Sequence, residues 1–257
     1  MLLSVALATY NEEKNLPACL EAVKGWVDEV VVVDGASTDK TREIAKKYDA
    51  RVIKTTNKPI FHINKQMAID ACRGEWVLQL DADEIVDQDL KEVILVIIKK
   101  GSRDDAFSVR RKNFFLGRWL SKGGQYPDAV IRFFKKGQAY LPCQSVHEQA
   151  SVPSGKIGQL SGHLLHYPYP DFTEYLVKFN RYTQLTAKEY LNNPKIRSNV
   201  WHYVIIETKA MAEFLSRYFR HKGFLDGFPG LVFALFSALH YPVAFIKYWE
   251  IKNKLNQ

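Results

Sequence analysis

Short apolar runs and longer amphipathic stretches take turns along the first hundred residues. "LLSVALATY" is rich in strand formers and runs into polar "NEEKN". Leu16, Leu20 and Val23 then fall three to four apart, the spacing of one helical face. "EVVVVDGASTD" predicts a second strand ending in a turn, "KTREIAKKYDA" a second helix and "RVIKTT" a short third strand. "NKQMAIDACRG" predicts a third helix stopped by Gly74, and "EWVLQLDADE" a fourth strand. Such alternation predicts an α/β domain: a mostly parallel, Rossmann-like sheet flanked by helices.

In such sheets ligands bind beyond the carboxyl ends of the strands. Polar clusters sit at those ends: Thr9, Asn11 and Glu12 after the first strand, Asp34 to Asp39 after the second, Asp81 and Asp83 after the fourth. Three polar ends on one edge predict a site. Asp81 and Asp83 lie two apart, so in an extended segment they share a face. A divalent cation between or beside them, Mg2+ or Mn2+, would relieve their repulsion and leave positions open for substrate phosphates. In a second reading these acids lie in a solvated loop or lead the helix written in "EIVDQDLKEVILVIIKK".

Composition narrows the partners. The 257 residues carry 36 basic and 28 acidic side chains, a net charge of +8. That balance favours anionic partners: nucleic acid, phosphorylated metabolites or an acidic membrane surface. Much of the basic excess lies near an apolar C-terminal stretch, which argues against nucleic acid. Cys19, Cys72 and Cys143 are scattered, with neither a disulfide framework nor zinc spacing, and point to a reducing compartment. The N-terminal run has no basic leader and no cleavage site, and is not read as a signal peptide.

"ALATYNEEKNL", "VVVDGASTDKT" and "VLQLDADE", in this order, resemble the family 2 inverting glycosyltransferases of the GT-A fold, over roughly the first 150 residues. The resemblance implies a nucleotide-sugar donor. It implies that Asp34 reads the base, that Ser37, Thr38 and Asp39 match the family's Ser-Thr-Asp, and that Asp81 and Asp83 lie at the donor diphosphate and metal. Lys65 stands where the family has a nucleotide-binding basic residue, more often Arg, which offers a planar fork that Lys lacks. Thr9, Asn11 and Glu12 join the expected nucleotide-sugar site, with Asp83 and Asp81 as metal ligands. A carboxylate at Asp34 suits the N–H of a uracil-like base, hence a UDP-sugar.

An inverting transfer also needs a base on the acceptor hydroxyl. "GGQYPDAVIRFFKKGQAYLPCQSVHEQ" resembles a subgroup that includes lipopolysaccharide-core glucosyltransferases of the WaaE type, through Tyr126, Pro127, Arg132, Phe133, His147 and Glu148. Glu148 is the first candidate base and His147 the second; His147 also reads as a core histidine, and Glu148 as a surface ion pair. Glu148 follows a predicted strand at "KGQAYLP". Arg132 either holds phosphate or pairs with Asp128. His163 and His166, three apart, also read as a metal pair, and the resemblance allows a late histidine as a metal ligand; the extended segment points them to opposite faces, which favours a structural or acceptor-side role.

The last third is helical. Phe172, Tyr175, Leu176, Phe179 and Thr183 share one face, and "VWHYVIIETKAMAEFLSRYFRHKGF" predicts a second helix interrupted at Gly223. Residues 228–246 contain no Asp, Glu, Lys or Arg, but Pro229 and Pro242 would start and break a helix there. Basic residues on both sides, Arg217, Arg220 and Lys222 before and Lys247, Lys252 and Lys254 after, favour a segment lying on a membrane surface over one crossing it. Burial on the catalytic domain and a homo-oligomer interface are the other readings. The expected organisation is a catalytic domain over 1–170 and a membrane-associating helical region over 171–257.

Together these readings predict a metal-dependent glycosyltransferase. It acts on a lipid-linked or lipopolysaccharide-type acceptor at the cytoplasmic face of the inner membrane. The alternatives are a polyprenyl-phosphate glycosyltransferase and a non-catalytic sugar-nucleotide or membrane-binding module.

Overall fold

A strand with no polar face is stable only if both sides of its sheet are covered. β1 (Leu3–Thr9), β2 (Glu29–Asp34) and β4 (Trp76–Leu80) are such strands, and almost every residue in them is buried. A computed structural model describes residues 1–144 and 149–255 of the chain. In it β1 pairs in parallel with β2 and β4, and β2 with β3 (Arg51–Lys54). Leu3, Val5, Leu7, Val32, Leu78 and Leu80 pack on one face with Leu16, Leu20 and Val23 of α1 (Leu16–Val23) and Leu90 and Ile94 of α4 (Gln88–Lys100). Ala45 of α2 (Thr41–Lys47) joins that cluster. Ala6, Val31, Val33 and Val77 pack on the other face with Ala68 and Ile69 of α3 (His62–Ala71).

The sheet does not end with its parallel half. Its order is β3-β2-β1-β4-β8-β6-β9-β5, with β7 (Arg118–Trp119) beside the end of β6. β8 (Asp128–Lys135) runs antiparallel to β4 and to β6 (Ala106–Phe115), and β9 (Ile157–His166) antiparallel to β5 (Glu84–Val86). Trp76 stacks on Phe133 of β8 with ring centroids 4.7 Å apart, joining the parallel and antiparallel parts by their side chains.

Two local expectations change. Glu84 opens the short strand β5 and does not lead a helix; the helix starts later, where Asp87 caps α4 by accepting from Leu90 N at 2.9 Å. "KGQAYLP" forms no strand, only a single bridge between Tyr140 and Ser151.

The chain divides into two compact units, Met1–Lys112 with Asp128–Tyr167, and Asn113–Pro127 with the chain from Pro168 onward. The division expected from sequence, 1–170 and 171–257, takes no account of the excursion at 113–127. In the second unit Asp171 caps α5 (Phe172–Leu191) and Asn199 caps α6 (Val200–Leu215). α7 (Gly227–Leu255) packs between them. Gly230, Ala234, Ala238 and Pro242, four apart, form its buried ridge. Pro242 does not break the helix. It removes one backbone hydrogen bond, and α5 holds α7 on both sides of it: His240 Nε2 lies 3.0 Å from Thr186 Oγ1, and Lys247 Nζ donates to Asn180 O at 2.7 Å.

Candidate functional site

The loops after β1 and β2 are fastened to each other. Asn11 N donates to Ser37 Oγ at 2.9 Å, Thr38 N to Asn11 Oδ1 at 2.8 Å, and Glu12 N to Thr41 Oγ1 at 2.8 Å. Glu12 also accepts from Asn15 Nδ2 at 2.9 Å. Asp39 receives Glu13 N at 3.1 Å. Asn11, Glu12 and Ser37 thus build the wall of the strand edge.

Behind that wall lies Asp34, fully buried. Its Oδ2 accepts from Ser37 N at 3.1 Å, with Arg42 Nε 3.8 Å away. Its Oδ1 finds no hydrogen-bond partner among the described residues, nor do Thr9 Oγ1 and Asn64 Oδ1. Thr9 is the strand partner of Asp34. Gly35 closes the group: a Cβ there would lie 3.2 Å from Asn64 Nδ2 and 3.3 Å from Asn57 Cα. Three buried, unsatisfied oxygens at one strand edge are costly to keep unless a ligand supplies donors.

The acids after β4 are neutralised from three other elements. Arg132 of β8, nearly buried, donates through Nη2 to Asp81 Oδ2 at 2.6 Å and Glu84 Oε1 at 2.7 Å, and through Nη1 to Gln79. Lys65 of α3 pairs with Asp81 Oδ1. Arg111 of β6 reaches Glu84 at 3.4 Å and Asp128 at 2.8 Å. Burial opposes the charge on Asp81, yet Arg132 and then Lys65 overcome it and hold the carboxyl well below the usual carboxylate range. Asp128 is engaged by Arg111, and Arg132 turns to Asp81 and Glu84; of the two readings of Arg132, its described contacts do not include the pair with Asp128. Repulsion at Asp81 is relieved by side-chain cations. Beneath it, Cys19 Sγ approaches Asp81 O at 3.6 Å; burial first, then Glu84 and Asp83, push this thiol well up.

Asp83 faces elsewhere. Its Oδ2 lies 3.6 Å from His166 Nε2 on β9, while His163 Nδ1 lies 3.3 Å from Asp87. The sequence places His166 in a structural or acceptor-side role; the structure sets it beside the expected metal carboxylate. Asp83 would give Mg2+ or Mn2+ the oxygen ligand these cations prefer, and His166 would add a nitrogen beside it. Among the described residues no three His, Cys, Asp or Glu side chains converge. Two such side chains would hold a metal only together with a substrate's oxygens. A cleft of about 270 Å³ opens between α3 and β8, lined by Lys65, Asp81, Arg111, Asp128 and Arg132 together with apolar Phe61 and Ile131. His147 and Glu148 lie outside the described residues.

Glu84, Gln79, Asn64 and Arg111 are not among the site residues expected from the sequence. Gln79 carried a signal, being a polar residue in an otherwise apolar strand. The roles of Arg111 and Asn64 depend on contacts between distant segments that no local pattern records.

The family model for glycosyl transferase family 2 matches residues 4–152. A lipopolysaccharide core biosynthesis glycosyltransferase of Rhizobium meliloti, LpsC, is 29% identical over 249 residues, covering 92% of this chain and 90% of its own. An uncharacterized glycosyltransferase of Rickettsia typhi is 29% identical over 248 residues, covering 92% of this chain and 82% of its own. The crystal structure of residues 1–349 of S. aureus TarS in complex with UDP superposes with a TM-score of 0.51 at 18% identity, over 100% of this chain and 92% of that one. With a parallel edge of matching motifs, that family match over more than half its length and a shared fold, the chain belongs to glycosyl transferase family 2 and is a glycosyltransferase with a mixed α/β GT-A fold.

Proposed function

We propose that the chain transfers a sugar, with inversion, from a UDP-sugar to a lipid-linked or lipopolysaccharide-type glycan, using Mg2+ or Mn2+. The observation that carries the donor is the unsatisfied Asp34 Oδ1, buried beside Thr9 Oγ1 and Asn64 Oδ1. A uracil imide N–H is a donor for that oxygen, and donors of the nucleoside can satisfy the other two. Two findings support the reading. S. aureus TarS, which shares the fold, has been crystallised with UDP and with UDP-GlcNAc. The relative from Rhizobium meliloti is named for lipopolysaccharide core biosynthesis.

The residues divide the work. Asn11, Glu12 and Ser37 hold the base-side wall. Lys65 and Arg132, fixed by Asp81, present positive charge to the diphosphate. Asp83 and His166 would hold the metal, and Asp81 serves as the post for the two cations. When bound, the metal stabilises charge on the leaving diphosphate. Glu148 is the proposed base, from its motif alone, with His147 the second candidate; loss of a general base costs about 10²–10⁴ in rate.

The helical unit supports work at a membrane. The stretch Gly223–Leu255 is long and apolar enough to cross one by length and composition. Basic residues at both of its ends favour lying on the surface. We place the enzyme at the cytoplasmic face of the inner membrane, peripheral or monotopic.

The donor assignment is tested by calorimetry. Asp34→Ala should weaken UDP binding by about 1.5–3 kcal/mol, the value of a hydrogen bond to a charged group. Equal affinity in the two proteins would remove Asp34 from the base site.

A further inference from the structure

The corner that joins α6 to α7 exposes aromatic and basic side chains together. A π-type turn (Ser216–Arg220) and a 3₁₀ turn (Gly223–Asp226) make the corner. Phe219, Phe224, Leu225 and Phe228 are 56%, 46%, 52% and 70% exposed. Arg220 and Lys222, also exposed, lie among them. Asp226 is the one acid between residues 216 and 228 in the sequence. It is buried, and it accepts from Ser121 N at 3.2 Å, Ser121 Oγ at 3.0 Å and Lys122 N at 2.8 Å.

The corner is built, not loose. Gly123 N donates to His221 O at 2.9 Å, and Arg217 Nη1 donates to Gly123 O at 3.2 Å. A Cβ on Gly230 would lie 2.1 Å from Gly223 O, so the start of α7 closes on the turn as only glycine allows. The exposed rings are therefore held outward by buried contacts beneath them. The apolar run inside α7 is used differently: its ridge of small residues packs inside the helical unit.

We propose that this corner, rather than the middle of α7, is where the protein meets an anionic lipid surface. The inference deepens the membrane reading above and rests on it. Aromatic rings flanked by cations, with no exposed acid, match an interface of acyl chains under anionic headgroups. A second copy is a poorer occupant. A two-fold self-contact sets one patch against itself, and here it would bring two sets of Arg220 and Lys222 together with no exposed acid of the corner between them.

The test is co-sedimentation of the full chain with vesicles of phosphatidylglycerol and phosphatidylethanolamine, and with vesicles of phosphatidylcholine alone. Three variants are compared: Phe219→Ser/Phe224→Ser/Phe228→Ser, Arg220→Glu/Lys222→Glu, and Leu231→Ser/Leu235→Ser/Leu239→Ser on the exposed side of α7. Circular dichroism and UDP affinity report whether each is folded. The first two variants should lose about tenfold or more in partition to the anionic vesicles, and the α7 variant should stay within about twofold of wild type. The charge-reversed variant keeps every apolar side chain, so it decides the matter if the triple serine variant does not fold. Retained binding by the corner variants with release of the α7 variant overturns the corner and leaves the membrane reading standing. Wild-type protein that sediments with neither vesicle overturns both. A dimer without lipid that the corner variants dissociate assigns the patch to a second copy and also overturns the proposal.

Discussion

Arg132 lets acids crowd the end of β4. Its guanidinium bridges Asp81 and Glu84 from a nearly buried position, and burial of a lone carboxylate there would be prohibitive. Arg132→Ala leaves both acids short of a partner, and should lower stability by about 3–5 kcal/mol in urea denaturation. Arg132→Lys should recover only part of this, because one ammonium cannot fork between two carboxylates. A loss below about 1 kcal/mol for the alanine variant would mean that Lys65 and Arg111 suffice. The string "VLQLDADE" showed the carboxylates and their strand edge, and the resemblance supplied their expected neighbours. It did not show how Asp81 and Asp83 divide. Asp81 goes to Lys65 of α3 and to Arg132, and Asp83 to His166, because β8 and β9 deliver Arg132 and His166 from more than fifty residues away. Periodicity records which face a side chain takes, not which distant strand arrives beside it.

At the scale of elements, the parallel strands and their helices were legible because both faces are covered and the apolar runs are unbroken. The antiparallel strands β6, β8 and β9 were less so, with their polar and apolar residues mixed. Proline rules failed at Pro242, where packing of α7 outweighed one lost hydrogen bond. Glu29 shows how elements are tied. Its carboxylate accepts from Ser4 Oγ of β1 at 2.8 Å, Arg51 Nη2 of β3 at 3.0 Å and Arg73 N before β4 at 2.9 Å. Burial opposes its charge, but the bonds from Arg73, Ser4 and Arg51 prevail and lower its pKa. A lowered folded pKa gives stability that is complete above the unfolded value, near pH 4.3, and is lost as pH falls through the folded value. Glu29→Gln should therefore cost about 1.5–3 kcal/mol at pH 7. Its difference from wild type in denaturation should shrink as pH drops below about 4. A difference that stays constant down to pH 2 would show that the charge of Glu29 does not matter.

At the scale of the molecule, the family match ends at residue 152, while the similarity to LpsC continues through the helical unit. The proposed donor site thus lies inside the family match, and the relative on which the acceptor reading leans matches the helical unit as well. Length and hydropathy marked that unit as apolar. They did not distinguish the ridge of α7 that packs inward from the corner that faces out, because hydropathy does not record which apolar residues meet another helix. The proposed reaction is metal-supported transfer from a UDP-sugar. It is tested most directly by incubating purified protein with a lipid-linked glycan acceptor and UDP-, GDP-, ADP- and CMP-sugars in turn, with and without Mn2+, and measuring the nucleotide released. Acceptor-dependent release of UDP alone is expected, abolished by chelation and by Asp83→Asn, a change that keeps the side chain's size and removes its charge. Release of a different nucleotide, or UDP release at wild-type rate from the Asp83→Asn protein, would contradict it.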